Sequence, residues 1–167
     1  MEGAFSQLVL FGSDLDVRAV LGAKENLAWL AQTYQMAPAA TLFTADATHV
    51  ERAQLQQTPI DFLVTEPFLG KQTPKSSELV NVFRGLEKMY WGAFRHWVNL
   101  LAPHAKLVVI FPRVKADSGQ IFTLDSLLDK LTTLGYNKQS SGLFYARPQA
   151  IVEREIAIFT YEPKSER

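Results

Sequence analysis

Ile60-Asp61-Phe62-Leu63-Val64-Thr65-Glu66-Pro67-Phe68-Leu69-Gly70 is the stretch on which the reading of this chain turns. Residues 60–65 form a short apolar run of the length of a buried strand, and Glu66-Pro67 stops it, because proline has no N–H for a ladder. Upstream, residues 7–12 (QLVLFG) read as another strand, followed by Asp14-Leu15-Asp16 with Asp16 as a helix N-cap. Residues 17–34 carry Val20, Leu21, Leu27, Leu30 and Ala31 at helical spacing, and Pro38 ends that unit. Residues 40–44 predict a second strand, closed by Asp46, and the polar run 49–57 a short helix. Downstream, residues 68–77 form a Gly-, Pro-, Lys- and Ser-rich loop. Ser76 or Ser77 caps a long helix from about residue 78 to 101, whose stripe is Leu79, Val82, Phe83, Leu86, Tyr90, Phe94, Trp97 and Leu101, and Pro103 terminates it. Residues 106–111 are the most strand-like segment, 123–134 a helix ended by Gly135, and 143–145 and 153–161 the arms of a closing antiparallel pair around Arg147-Pro148. Alternating strands and helices predict an α/β sheet with parallel strands and helices on both faces. In such sheets ligands sit beyond the carboxyl ends of the strands.

The bulk properties bound the answer. A chain of 167 residues suits one domain, residues 1–167, with a sizeable core. Seventeen basic residues balance seventeen acidic ones, so composition offers no basic signature of nucleic-acid binding. Without cysteine there are no disulfides, thiolate zinc sites or cysteine nucleophiles, which accords with a cytoplasmic location. No apolar run approaches the roughly 20 residues that span a bilayer, and the N-terminus lacks the pattern of a signal peptide. His49, His96 and His104 are scattered without metal-ligand spacing, so no metal site is expected.

Three strand ends carry an acid: Asp14, Asp46 and Glu66. Any one of them reads more simply as a turn or capping residue. As a set they describe a nucleoside lying across strand ends. Asp14 would accept hydrogen bonds from ribose hydroxyls, Leu15 would pack on adenine, and Asp46 would accept from an adenine amine. Glu66 would then lie at the reacting group. Thr65-Glu66-Pro67-Phe68 has the residue order that methylation of an exocyclic amine needs. A side-chain oxygen and an inward-pointing backbone carbonyl accept the two amine hydrogens, and an aromatic ring stacks on the base. The plain alternative is a proline turn with a buried Phe68.

Gly12-Ser13-Asp14-Leu15-Asp16, Thr44-Ala45-Asp46-Ala47, Val64-Thr65-Glu66-Pro67-Phe68-Leu69-Gly70, and Tyr145-Ala146-Arg147-Pro148 with Arg154-Glu155-Ile156 together carry a resemblance. The chain resembles the catalytic domain of THUMP-associated tRNA guanine methyltransferases, from about residue 7 to 161. The resemblance implies a Rossmann-like class I sheet, S-adenosylmethionine as cofactor, and RNA, above all tRNA, as partner. It implies ribose binding at Asp14 and adenine binding at Asp46 and Ala47, with Leu15 and Thr65 in the cofactor-contacting set. It implies amine binding at Glu66, Pro67 and Phe68. Lys71 and Arg113 are candidates for substrate contact, Lys71 flanking the loop with Lys75 and Arg84; solvated surface charge is an equal reading. Arg147 and Arg154 read as structural, or as partners of Glu153 or Glu155.

Two departures shape the expectations. The family shows Asp or Asn, two prolines and Tyr at the active loop, whereas this chain has Glu66, Pro67, Phe68 and Leu69. The family's first strand and glycine-rich loop, expected before residue 7, are absent, as is the THUMP domain. The missing strand would lie at the sheet centre, leaving a gap in the ladder that a partner chain or an N-terminal segment would fill. Three functions follow as hypotheses: an RNA amine methyltransferase, a non-catalytic methyltransferase-like module, or a DNA amine methyltransferase.

Overall fold

A computed structural model describes residues 8–35, 39–139 and 143–164, which fall into two compact units, Met1–Thr58 and Pro59–Arg167. The strand start expected at Gln7 and the helix stop expected at Pro38 lie outside the described residues.

In the first unit, strand β1 (Leu10–Asp14), helix α1 (Val17–Tyr34) and strand β2 (Ala40–Thr44) form a strand–helix–strand crossover. The two strands pair in parallel, from Leu10 opposite Ala40 to Asp14 opposite Thr44. Asp16 caps α1 as expected, its carboxylate accepting the Arg18 N–H at 2.9 Å. A short 3-10 turn at Arg52–Leu55 replaces the helix expected over 49–57, closed by reciprocal Glu51 and Gln54 capping bonds. The apolar stripe of α1 is only partly covered: Val20 is buried, Leu27, Leu30 and Ala31 are half-buried, and Leu21 is more than half exposed, as are Trp29 and Tyr34 outside the stripe. The reason is geometric. Eighteen helical residues extend about 27 Å, whereas two strands present a ribbon roughly 5 Å across between their axes.

The second unit holds the larger core. Its elements are β3 (Ile60–Thr65), α2 (Leu79–Trp97), β4 (Leu101–Lys115), β5 (Ile121–Phe122), α3 (Asp125–Thr133), β6 (Tyr136–Lys138), β7 (Leu143–Tyr145) and β8 (Val152–Tyr161). The sheet runs β3-β4-β8-β6, with β5 on β4 and β7 on β8. β3 and β4 are parallel; β8 is antiparallel to β4, β6 and β7. The expected combination of parallel strands and a C-terminal antiparallel pair is therefore present. Alternation along β4 sorts its side chains: Leu107, Val109 and Phe111 are fully buried, while Val108 and Ile110 on the other face are half-buried. The buried face receives α2 through Leu79, Phe83, Leu86, Tyr90, Phe94 and Trp97. The Phe94 ring lies 4.9–6.3 Å from Trp97, Phe111, Tyr136 and Phe159, mostly edge to face. Such pairs each add about 1 kcal/mol beyond their buried area.

Three local expectations are corrected. α2 ends at Trp97, not near residue 101, because Leu101 already opens β4 opposite Ile60. Pro103 sits inside β4, not beyond a helix end; the register shifts between Ile60 and Phe62, and His104 at φ 65° takes up the extra residues. Ser76 does not cap α2, since its hydroxyl bonds Asp117 at 2.7 Å and a 3-10 turn (Ser76–Glu78) leads into the helix. The short strands β5 and β6 had no counterpart in the sequence pattern.

Among the described residues β1 pairs with β2 alone and β3 with β4 alone. Phe62 and Val64 of β3, on the face of the sheet away from α2, are 74% and 78% exposed. That is unusual for a parallel strand, which is ordinarily buried on both faces.

Gly135 ends α3 at φ 98°, and a Cβ there would collide with the carbonyl oxygen of Glu162. Gly135→Ala should lower stability by about 2 kcal/mol or more, from positive φ plus backbone displacement. The midpoint of urea unfolding should fall without loss of helix content in the folded baseline.

Candidate active site at the strand ends

The two units contribute different groups, and each is described by itself. In the first, Asp14 is the last residue of β1 and Asp46 follows β2 by two positions. The Asp14 carbonyl accepts the Ala45 N–H at 3.0 Å, which ties the two strand ends together. The Asp14 carboxylate takes the Asp16 N–H at 2.8 Å through Oδ1. Asp46 Oδ1 accepts from the Thr48 N–H at 2.8 Å and from its hydroxyl at 2.7 Å. Both acids thus do the turn-stabilising work of an ordinary strand-end Asp. Both remain exposed, as do Leu15 and Ala47. Two exposed carboxylates at neighbouring strand ends, with an exposed leucine beside one, fit the hydrogen-bond donors and apolar ring of a nucleoside. They supply nothing for a methionine moiety.

In the second unit Thr65 closes β3 half-buried and Glu66 follows, exposed. Arg154 on β8 donates to Glu66 through Nε at 3.1 Å and Nη2 at 2.9 Å, both to Oε1. This corrects the expected pairing of Arg154 with Glu153 or Glu155. Alternation along β8 sends 153 and 155 to one face and 154 to the other. Glu153 instead pairs with Arg113, and the largely buried Glu155 with Lys138. Pro67 is half-buried and Phe68 is 65% exposed, so Phe68 is no core residue. Gly70 turns the chain at φ 92°. The loop that follows is tied by Lys71–Glu78 at 3.2 Å and by Ser76–Asp117.

Both proposed substrate cations are therefore engaged within the chain. Lys71 keeps its exposed ammonium on Glu78, and the guanidinium of Arg113 also lies 5.3 Å over the Phe144 ring. Beneath the site, the Tyr90 hydroxyl donates to the Ile110 carbonyl at 2.7 Å. Burial, and secondarily the negative charge of Glu66, pushes this phenol far above its ordinary range, so Tyr90 is a fixed neutral donor. Among the described residues no cluster of His, Asp and Glu could hold a metal ion, and no helix is long and apolar enough to cross a membrane.

The structure brings Asp14 and Asp46 together in one unit, and Glu66, Pro67 and Phe68 with Arg154 in the other. Sequence reasoning missed the Arg154–Glu66 pair and the Ser76–Asp117 tie. The one available signal was parity: Arg154 lies out of phase with its acidic neighbours along a period-two strand.

No protein-family description matches the chain, and no curated protein matches it in sequence. Solved structures do match. TrmN from Thermus thermophilus aligns over 90% of this chain with a TM-score of 0.55 and 17% identity. The chain spans only 36% of TrmN's length. An S-adenosylmethionine-dependent methyltransferase from Methanosarcina mazei aligns over 93% of the chain and 83% of its own, with a TM-score of 0.59 and 14% identity. The N-methyltransferase NodS from Bradyrhizobium japonicum, solved with S-adenosyl-L-homocysteine, aligns over 91% and 66%, with a TM-score of 0.55 and 16% identity. The chain has the Rossmann-like α/β fold of these methyltransferases.

Gly70 turns the loop after Glu66 at a φ of 92°. A Cβ there would sit 3.2 Å from Val82 Cγ1 in addition to requiring positive φ. Gly70→Ala should cost about 1–2 kcal/mol in thermal unfolding and make the 68–77 loop more readily cut by limited proteolysis.

Proposed function

We propose that the chain is an S-adenosylmethionine-dependent RNA methyltransferase domain that methylates an exocyclic amine, guanine N2 of tRNA being the target. The observation that carries this is the presentation of Glu66-Pro67-Phe68 at the end of β3, with the carboxylate and the aromatic ring both exposed. Its companion is the pair of exposed acids at the ends of β1 and β2. The tRNA target rests on the sequence resemblance.

In this reading Asp14 accepts from the ribose hydroxyls, Asp46 and Ala47 address adenine, and Leu15 and Thr65 complete the cofactor contacts. S-adenosylmethionine supplies an electrophilic methyl group on its sulfonium. Glu66 and the Pro67 carbonyl accept the two amine hydrogens, which draws the nitrogen lone pair out of conjugation with the ring. Phe68 stacks on the base, a contact of about 1–3 kcal/mol. Because the methyl donor is already reactive, the protein's contribution is positioning. Lys71 and Arg113 would meet RNA phosphates only by exchanging their present partners.

A second reading has one observation in its favour: among the described residues β1 pairs with β2 alone and β3 with β4 alone. If a strand of a partner chain is needed beside β1 or β3, the chain by itself is a non-catalytic module. Transfer of labelled methyl to unmodified tRNA, with the product nucleoside identified by mass spectrometry, tests the first reading. Glu66→Ala should lower the rate by roughly 100-fold, as loss of a preorganised polar contact does. Phe68→Ala should raise KM about tenfold. Equal rates for Glu66→Ala and wild type would reject the assignment, and transfer to DNA alone would redirect it. Calorimetry with S-adenosylhomocysteine separates the second reading: a folded chain that binds none is the module.

A further inference from the structure

We propose that Arg154 is a positioning residue, and that the Glu66–Arg154 pair, not Glu66 alone, selects a base carrying an exocyclic amine. The inference rests on the reading of Glu66 as the amine acceptor and adds what aims it. Glu66 and Arg154 come from strands two places apart, β3 and β8, with β4 between them. Two strand spacings amount to roughly 10 Å. Thr65 lies opposite Val109, so Glu66 is level with Ile110; Arg154 lies opposite Pro112, one pleat further on the same face. An extended arginine and a glutamate bridge that span over β4. Glutamate is longer than aspartate by one methylene, roughly 1.5 Å, which extends the acid towards Arg154.

The bond pattern determines what the pair can do. Both guanidinium donors converge on Oε1, leaving Oε2 outside this interaction. Arg154 is the sheltered partner, with its side chain 23% exposed, while that of Glu66 is 47% exposed. Arg154 is anchored by ladders on either side of β8, to Pro112 and to Tyr145. An ionised carboxylate is acceptor-only. Held by one oxygen, it presents the other in a fixed direction to an N–H donor and repels a carbonyl edge at the same place. A site built to bond a polar group discriminates strongly against the analogue that lacks it.

Guanosine and inosine differ by the exocyclic amine alone, so their binding to the intact chain, followed by NMR chemical shifts, reads the pair without requiring catalysis. Wild type should prefer guanosine by about tenfold or more. Arg154→Gln and Glu66→Asp should bring the ratio to within about twofold, and Arg154→Lys should restore part of it, since an ammonium offers a point contact without the fork. Circular dichroism and unfolding midpoints confirm folding, and the exposed Glu66→Asp serves should Arg154→Gln not fold. In methyl transfer, Arg154→Gln should lower kcat with KM for tRNA unchanged. A wild type with no guanosine preference, or an Arg154→Gln that retains it in full, would overturn the inference. Absence of wild-type methyl transfer bears instead on the proposed activity, because the nucleoside ratio is measured without it.

Discussion

The antiparallel ladder between β4 and β8, running from Lys106 opposite Thr160 to Val114 opposite Val152, is the interaction on which the rest of the larger unit depends. It buries Leu107, Val109 and Phe111 beside Ala157 and Phe159 under α2. It carries β3 on one side and β6 and β7 on the other. Each ladder bond adds about 1 kcal/mol net but is costly to leave unmade in the interior. The register has a chemical consequence as well. A slip of one residue would send Arg154 to the helix-covered face and bring Glu153 and Glu155 to the face of Glu66. Three carboxylates would then share the place now held by an ion pair, so the register that packs the core also sets the charge at the strand end.

The charged pairs along β8 divide by face in the same way. Lys138–Glu155 is sheltered, its side chains 21% and 8% exposed, and removing either partner would strand a charge in the interior. Arg113–Glu153 lies at the margin, with Phe144 against the guanidinium. These two pairs occupy the acids that a neighbouring arginine would otherwise meet. Arg154, on the opposite face, is left to reach across β4 to Glu66. Neutral composition therefore hides an ordered arrangement of charge.

Elements with strong local signals were legible in the sequence. Helix α1, β2, β3 and β7 have the expected bounds, since capping by Asp16, the stop at Glu66-Pro67 and helical spacing are properties of neighbouring residues. The end of α2 was misplaced because Leu101 fits the helical stripe as well as it fits a strand; pairing with Ile60, a non-local contact, decides it. β5 and β6 are two and three residues long, too short for a period to show. The placing of acids at strand ends and the Glu66-Pro67-Phe68 order after β3 were legible, because they depend on adjacency. The partner of Glu66 was not, because it depends on strand order, and 88 residues separate the two side chains in the chain.

The two units also differ in what sustains them. The buried apolar residues of the first are Val20, Val50 and Leu55, whereas the second has an aromatic core around Phe94. A two-stranded sheet is marginal without further packing. The acids read as cofactor ligands thus stand on the weaker unit, where among the described residues β1 pairs with β2 alone. The acid read as the amine acceptor stands on the stronger one, held by a ladder and an ion pair. Covering Phe62 and Val64 on the face of β3 away from α2 would contribute about 4 kcal/mol, comparable to a large share of a domain's net stability. An added edge strand would satisfy the backbone groups of β3, but those two side chains need a layer packed on their face. In the proposed reading, recognition of the amine rests on the second unit's own contacts, the β4–β8 ladder and the Glu66–Arg154 pair.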